Sequence, residues 1–164
     1  MDDVARAVFR TAIGASPYQY QLDIFRSKDR FSVINKSRRT GISTILAFKA
    51  TVHGLSGGDS LIISPSQNQS IFVMKEYVER FLSVIPESER RELEEDTKSL
   101  KRFEGGGTIR SLPNNEATMR GFNADYIFLD EAAHFLNGTD EDVWRAVKPM
   151  TALGGKITVA STPF

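Results

Sequence analysis

The sequence has no cysteine and only two histidines, His53 and His134. That excludes a disulfide framework and thiolate chemistry, and it removes the usual ligands of structural zinc. Charge of one sign is also lacking. The 21 Lys and Arg residues balance 21 Asp and Glu, so the total argues against a polyanion-coating protein, although local basic patches stay open. No apolar run is long enough to cross a bilayer, residues 61–63 and 126–129 being typical of the longest. The N-terminus MDDVARAVFR is charged from residue 2 and has no apolar leader segment, so the glycosylation-type triplets at Asn68 and Asn137 read as chance. These absences describe a soluble, cytosolic protein. What is present, 40% hydrophobic residues including 11 Phe, can build a core, and 164 residues suit one domain.

Apolar spacing sets the expected elements. Val4, Val8 and Ala12 predict a helix over 2–12, and Ser16-Pro17 opens a second over 18–25. Residues 31–35 read as a strand running into a polar loop, and 43–55 as a helix stopped by Ser56-Gly57-Gly58-Asp59. The run 61–64 predicts a strand buried on both faces. After Pro65, Ser66 can cap an amphipathic helix whose inner face is Ile71, Met74, Val78, Phe81, Leu82 and Ile85. Residues 87–98 predict a charged, partly helical, solvated surface, and 102–112 a hairpin around Gly105-Gly106-Gly107. Residues 126–130 are a second buried strand, Thr139 and Asp142 a capping pair before a helix over 143–147, and 156–161 a last strand. Strands separated by helices predict an α/β fold with a mainly parallel β-sheet flanked by helices. Without repeats or linkers, residues 1–164 are read as one domain.

Two stretches carry chemistry. The loop Asn35-Lys-Ser-Arg-Arg-Thr-Gly-Ile-Ser-Thr44 joins a strand to a helix, the placement a phosphate-binding loop needs. Successive N–H groups and the helix dipole there face an anion. Gly41 permits close backbone approach, and Ser43 stands where a hydroxyl holds Mg²⁺. Against the pattern G-x-x-x-x-G-K-[ST], Lys36 replaces the first Gly and Ile42 replaces the Lys. The flexible stem of Lys36 could return that missing cation to the phosphates, with Arg38 and Arg39 as further donors. From this loop alone, phosphate binding and an ordinary basic turn weigh equally. The second stretch, Asp125-Tyr-Ile-Phe-Leu-Asp-Glu-Ala-Ala133, ends a buried strand on two acids, a Walker B pattern. Asp130 can position Mg²⁺ through its water shell, and Glu131 can orient or deprotonate an attacking water.

Together these stretches resemble the ATPase part of a bacteriophage terminase large subunit. KSRRTGIST is similar to the deviant Walker A of that family, with its lysine moved forward, and DYIFLDEAAHF to its Walker B. ITVASTP, residues 157–163, resembles its coupling motif, and Tyr20-Gln-Leu-Asp-Ile-Phe25 its adenine-recognising glutamine motif. Gln21 fits that motif best and Gln19 is the alternative. The resemblance spans residues 18–164 and implies a P-loop NTPase fold of the RecA-like ASCE type.

It also implies a Mg²⁺-dependent ATPase that drives double-stranded DNA into a procapsid, with ATP and Mg²⁺ as cofactors. Gln21 and the loop Lys36, Ser37, Arg38, Arg39, Thr40, Gly41, Ile42, Ser43 and Thr44 would hold the nucleotide. Ser43 and Asp130 would hold the metal, and Glu131, Lys36, Arg38 and Arg120 would act in catalysis. Ser161, Thr162 and Pro163 would couple hydrolysis to motion. Arg120 is the candidate finger reaching a neighbouring subunit; a bridge to Asp125 is equally open, and Arg38 and Arg39 are rivals in cis. Ser64-Pro65-Ser66 falls where such motors link ATP to DNA contact. The implied partners are DNA, further copies in a ring, a portal protein and a terminase small subunit, without a membrane, in the cytoplasm of the infected host. The expected fold stops before any nuclease domain, so the ATPase domain is expected to be incomplete at its C-terminal end. A helicase-like translocase, and a nonhydrolysing assembly module, are the alternatives. His53 and Trp144 are read as packing or surface residues, and His134, with no second His or Cys nearby, is given no metal role.

Overall fold

The computed structural model describes residues 1, 3–115, 122–135 and 140–163. The expectations for Arg120 and for Thr139 lie outside the described residues. Seven strands form one sheet: β1 (Phe31–Asn35), β2 (Asp59–Ser64), β3 (Leu93–Asp96), β4 (Leu100–Phe103), β5 (Thr108–Pro113), β6 (Tyr126–Asp130) and β7 (Lys156–Ser161). Their order is β1-β7-β6-β2-β5-β4-β3, with β1, β7, β6, β2 and β5 parallel and the β4 and β3 pairings antiparallel. The α/β expectation and the mainly parallel sheet are therefore both present. Because a side chain alternates faces every residue, β2 sends Leu61 and Ile63 to one face and Ile62 to the other, and all three are buried.

Among the described residues the helices are α1 (Asp3–Ile13), α2 (Gln19–Arg26), α3 (Ile42–Leu55), α4 (Gln67–Val73), α5 (Glu79–Ser83) and α6 (Asp140–Val147). Ser66 caps α4 as its position predicts, its hydroxyl accepting from the Gln69 N–H at 3.3 Å. The amphipathic run over 71–85 is interrupted by a π-helical turn, Met74–Val78, which joins α4 to α5 while Met74, Val78, Phe81 and Leu82 stay buried.

Helix α3 is apolar nearly all round because it is covered on two sides. Leu46, Ala47 and Ala50 pack on Ile62, Ile109 and Phe128 of the sheet. On the opposite side, Phe48 meets Phe9 of α1 and Phe81 of α5, with ring centroids 5.3 and 4.7 Å apart. The other sheet face buries Ile127, Leu129 and Ile157 under Val143 and Val147 of α6. Trp144 of the same helix meets Phe31 at 5.6 Å, the surface packing expected of it.

Residues 87–98 depart from the expected helical surface. A single 3-10 turn, Glu87–Glu89, is followed by strand β3. The reason is cross-strand charge: Glu95 stands opposite Arg102 and Asp96 opposite Lys101, while Leu93 faces Phe103. Lys101 is buried, its ammonium held by Asp96, by Glu79 at 2.8 Å and by the Thr97 carbonyl at 3.2 Å. The charge run is solvated as expected, and as a strand it also closes the far edge of the sheet. Among the described residues no helix is long and apolar enough to cross a membrane.

Lys49 fastens α2 to α3. Its ammonium, buried inside α3, donates to the carbonyls of Ile24 at 3.1 Å and Ser27 at 2.8 Å and lies 5.0 Å from the centre of the Tyr126 ring. Burial, then the neighbouring Lys156 charge, lower its pKa to about 8, against a smaller opposing pull from Asp29. The unfolded chain keeps this proton up to pH about 10.4 and so binds more protons than the folded chain above about 8. Relative to Lys49→Met, the native chain is expected to gain stability as pH rises from about 8 to about 10. Urea titrations across that window check it, and a constant difference contradicts it.

Candidate active site

The strand order β1-β7-β6 brings three strand ends together at one edge of the sheet. Asn35 pairs in register with Ser161, and Asp130 with Ala160. Loop 36–41 leaves β1 there and turns into α3, after the Lys36 N–H has donated to the Ser161 carbonyl at 3.0 Å. Two loop residues are left-handed, Arg39 at φ 61° and Gly41 at φ 70°, and the Thr40 hydroxyl donates to the Ser37 carbonyl at 3.0 Å. Ser37, Arg38 and Arg39 are exposed, Thr40, Ser43 and Thr44 half-buried. Ile42, which stands where the common pattern has lysine, is buried in the core and can offer a ligand only its backbone.

Lys36 does not reach into solvent. Its side chain is 7% exposed, and its ammonium forms an ion pair with Oε1 of Glu131. The other carboxylate oxygen of Glu131, Oε2, accepts from Thr162 twice, from the backbone N–H at 3.2 Å and from the hydroxyl at 3.1 Å. Glu131 itself is left-handed at φ 54°. Burial alone would raise its pKa, but the Lys36 hydrogen bond and charge, with the two Thr162 donors, outweigh this and hold it below the usual glutamate value. Asp130 behaves oppositely. Burial pushes its carboxyl above the ordinary range and the Glu131 charge adds to the rise, while the Ser43 hydroxyl and Lys36 pull it back. Its Oδ1 is buried without a hydrogen-bond partner.

An orphaned buried carboxylate oxygen beside a serine hydroxyl fits a hard cation that takes oxygen ligands and keeps several waters. Among the described residues no group of three His, Asp or Glu could cage a metal, so a cation here would share its shell with water and phosphate. The loop fits an anion equally well: α3 is 14 residues long and offers its N-terminus to the same edge.

Helix α2 braces this loop. Gln21 is buried; its amide NH₂ donates to the Gly41 carbonyl at 3.0 Å and its Oε1 accepts from the Tyr18 N–H at 2.9 Å. That leaves one N–H and one lone pair of the amide for a ligand. Gln19 instead donates to Asp23 at 2.8 Å on the exposed face of α2. The Tyr20 hydroxyl donates to the Thr40 carbonyl at 2.7 Å, a contact that the glutamine motif does not announce. A Cβ on Gly41 would fall 2.6 Å from the Gln21 amide nitrogen, at a backbone angle that side chains resist. Gly41→Ala is expected to destabilise the chain by about 1–2 kcal/mol, lowering Tm by ~2–8 °C, readable by calorimetry. An unchanged Tm contradicts this role for Gly41.

The three expected coupling residues lie beside the acids. The Ser161 hydroxyl accepts from the Ala133 N–H at 3.0 Å and donates to the Thr162 carbonyl at 2.9 Å; Thr162 is buried and Pro163 exposed. His134, for which no metal role is expected, has its Nε2 3.0 Å from the Thr162 hydroxyl. Asp125, the open partner for Arg120, is engaged by His53 at 3.0 Å and by the Asp59 N–H at 2.9 Å.

Comparison with known proteins agrees with this architecture. The chain is similar to the ATPase domain of the Thermus phage P74-26 large terminase, in a mutant form, with a TM-score of 0.74 and 24% identity over 95% of this chain and 69% of that one. It is similar to the HK97 bacteriophage large terminase, with a TM-score of 0.70 and 14% identity over 96% of this chain and 36% of that one. A third similar structure is the large terminase of a thermophilic bacteriophage in complex with ATP-gamma-S, with a TM-score of 0.54 and 14% identity over 97% of this chain and 37% of that one. No curated protein matches. The family described as terminase large subunit, T4likevirus-type, N-terminal, matches residues 33–164. With that match over most of its length and the fold of those ATPase domains, the chain belongs to the terminase large subunit family and matches its N-terminal part.

Proposed function

We propose that this chain is the Mg²⁺-dependent ATPase of a motor that packages double-stranded DNA into a procapsid. The observation that carries the reading is the meeting of Lys36, Asp130 and Glu131 at the ends of β1 and β6, on either side of β7, around a loop and helix N-terminus suited to phosphate. The backbone of Ser37, Arg38, Arg39, Thr40, Gly41, Ile42 and Thr44 curls round the phosphates, and Gln21 reads adenine with its remaining hydrogen-bonding capacity. The Ser43 hydroxyl and the Asp130 carboxylate hold Mg²⁺, which when bound neutralises charge on the phosphate oxygens. For this, Lys36 leaves Glu131 and moves to the phosphates. Glu131, freed of its partner, accepts a proton from the attacking water.

Ser161, Thr162 and Pro163 carry the change outward, since Thr162 is bonded to Glu131 and reports the state of its carboxylate. Arg38 or Arg39 in cis, or Arg120 from a neighbouring copy, supplies charge to the transferred phosphoryl. Work on DNA requires a ring of copies, a portal protein and a small subunit, in the cytoplasm of the infected host. The ADP- and ATP-gamma-S-bound large terminase structures of the thermophilic phage support nucleotide as the ligand. Titration with a fluorescent ATP analogue tests the reading: saturable binding that tightens with Mg²⁺ is expected. Absence of binding with and without Mg²⁺ contradicts it.

A further inference from the structure

We propose that His134 is a positioning residue for Glu131, acting through the hydroxyl of Thr162; the inference rests on Glu131 being the base. The hydrogens settle the direction of the chain. The Thr162 hydroxyl has one proton, and it goes to Oε2 of Glu131, 3.1 Å away. The contact of 3.0 Å between that hydroxyl and His134 Nε2 then needs its proton from the ring. His134 therefore carries a hydrogen on Nε2, the hydroxyl accepts it, and the hydroxyl passes its own hydrogen to the carboxylate. The ring lies 4.0 Å from Oε2, too far to bond Glu131 directly, so Thr162 is an obligatory middle member.

The arrangement is held from both sides. A 3-10 turn, Ala132–His134, follows the left-handed Glu131 and aims the histidine back at the strand end. Across the gap, the Ala133 N–H donates to the Ser161 hydroxyl at 3.0 Å, locking the turn after β6 to the last residue of β7. The Thr162 hydroxyl is thereby fixed by a donor behind it and an acceptor ahead. Without the ring donor, the hydroxyl can rotate its proton away from Oε2, and the carboxylate loses one of the contacts that orient it.

Histidine-ring ¹⁵N NMR on the whole chain tests this, with His53→Gln assigning the only other ring. The expected spectrum places the His134 proton on Nε2. Thr162→Val, which keeps shape and removes the hydroxyl, shifts the His134 ring signals, and Thr162→Ser restores them. A proton on Nδ1 alone, or a ring indifferent to Thr162→Val, overturns the proposal. In kinetics, His134→Phe lowers kcat about tenfold at unchanged KM, and Thr162→Val adds little in that background. Independent, multiplying losses overturn the relay. If the native chain hydrolyses no ATP, the ATPase reading fails, while the ring spectrum still decides the relay.

Discussion

Glu131→Gln is expected to keep nucleotide binding and to lower kcat by ~10²–10⁴, the usual worth of a positioned general base. Glutamine preserves the shape of the side chain and can still accept from Thr162, so the turn after β6 should stay in place. It cannot take a proton from water. Comparing single-turnover hydrolysis with equilibrium binding of the same analogue separates the two effects. Turnover at the native rate would remove Glu131 from the chemistry. A parallel loss of binding would show instead that the substitution disturbed the loop.

The second large effect is expected from Lys36→Ala. With nothing bound, Lys36 neutralises Glu131 and keeps its carboxyl in the charged form against the pull of burial. With phosphate bound, the same ammonium is needed a few ångströms away. Removing it is expected to weaken nucleotide binding by about 10–10²-fold, the loss of one charge-assisted contact, and to lower kcat as well. Lys36→Arg restores the charge but not the compact ammonium, so it recovers binding only in part.

A pH dependence follows from the exchange of partners. In the free protein the pKa of Glu131 is lowered, so its own acidic limb in kcat/KM lies low, provided saturating Mg²⁺ keeps the raised carboxyl of Asp130 ionised. Once Lys36 has left for the phosphates, burial acts on Glu131 unopposed by that pair and its pKa rises. A base works only when deprotonated, so the acidic limb of kcat is expected at higher pH than that of kcat/KM. Lys36→Ala should raise the limb of kcat/KM toward that of kcat. Coincident limbs in the native chain would mean that the ion pair survives nucleotide binding.

Much of this architecture is legible in the residues. The edge strand β1, which leaves Phe31 and Val33 exposed, shows itself by its aromatic and β-branched residues. β2, β6 and most of β7 announce themselves as short apolar runs because parallel strands covered on both faces need side chains suited to burial at nearly every position. The acids at the end of β6 stand out for the same reason, as charges ending a buried strand. Strand β3 is hidden: it is an edge strand in an antiparallel pair, and the cues for it lie on its neighbour, in Lys101 and Arg102. The Lys36–Glu131 pair is hidden in a different way. Its members are 95 residues apart in sequence, and only the order β1-β7-β6 makes them neighbours. Spacing within a motif shows that the loop lacks lysine in its usual place; it does not show what that displaced lysine touches. His134 is hidden because a lone histidine among acids invites only the question of metals, whereas its partner is a hydroxyl just past the end of β7.

The proposed chemistry depends on Lys36 having two partners in turn. A crystal structure of the chain with a nonhydrolysable ATP analogue and Mg²⁺ measures this directly. The predicted result has the phosphates within residues 36–44, the Lys36 ammonium on phosphate oxygens, and Glu131 released but still held by Thr162. A nucleotide bound elsewhere, or phosphates in the loop with the Lys36–Glu131 pair intact, would contradict the exchange.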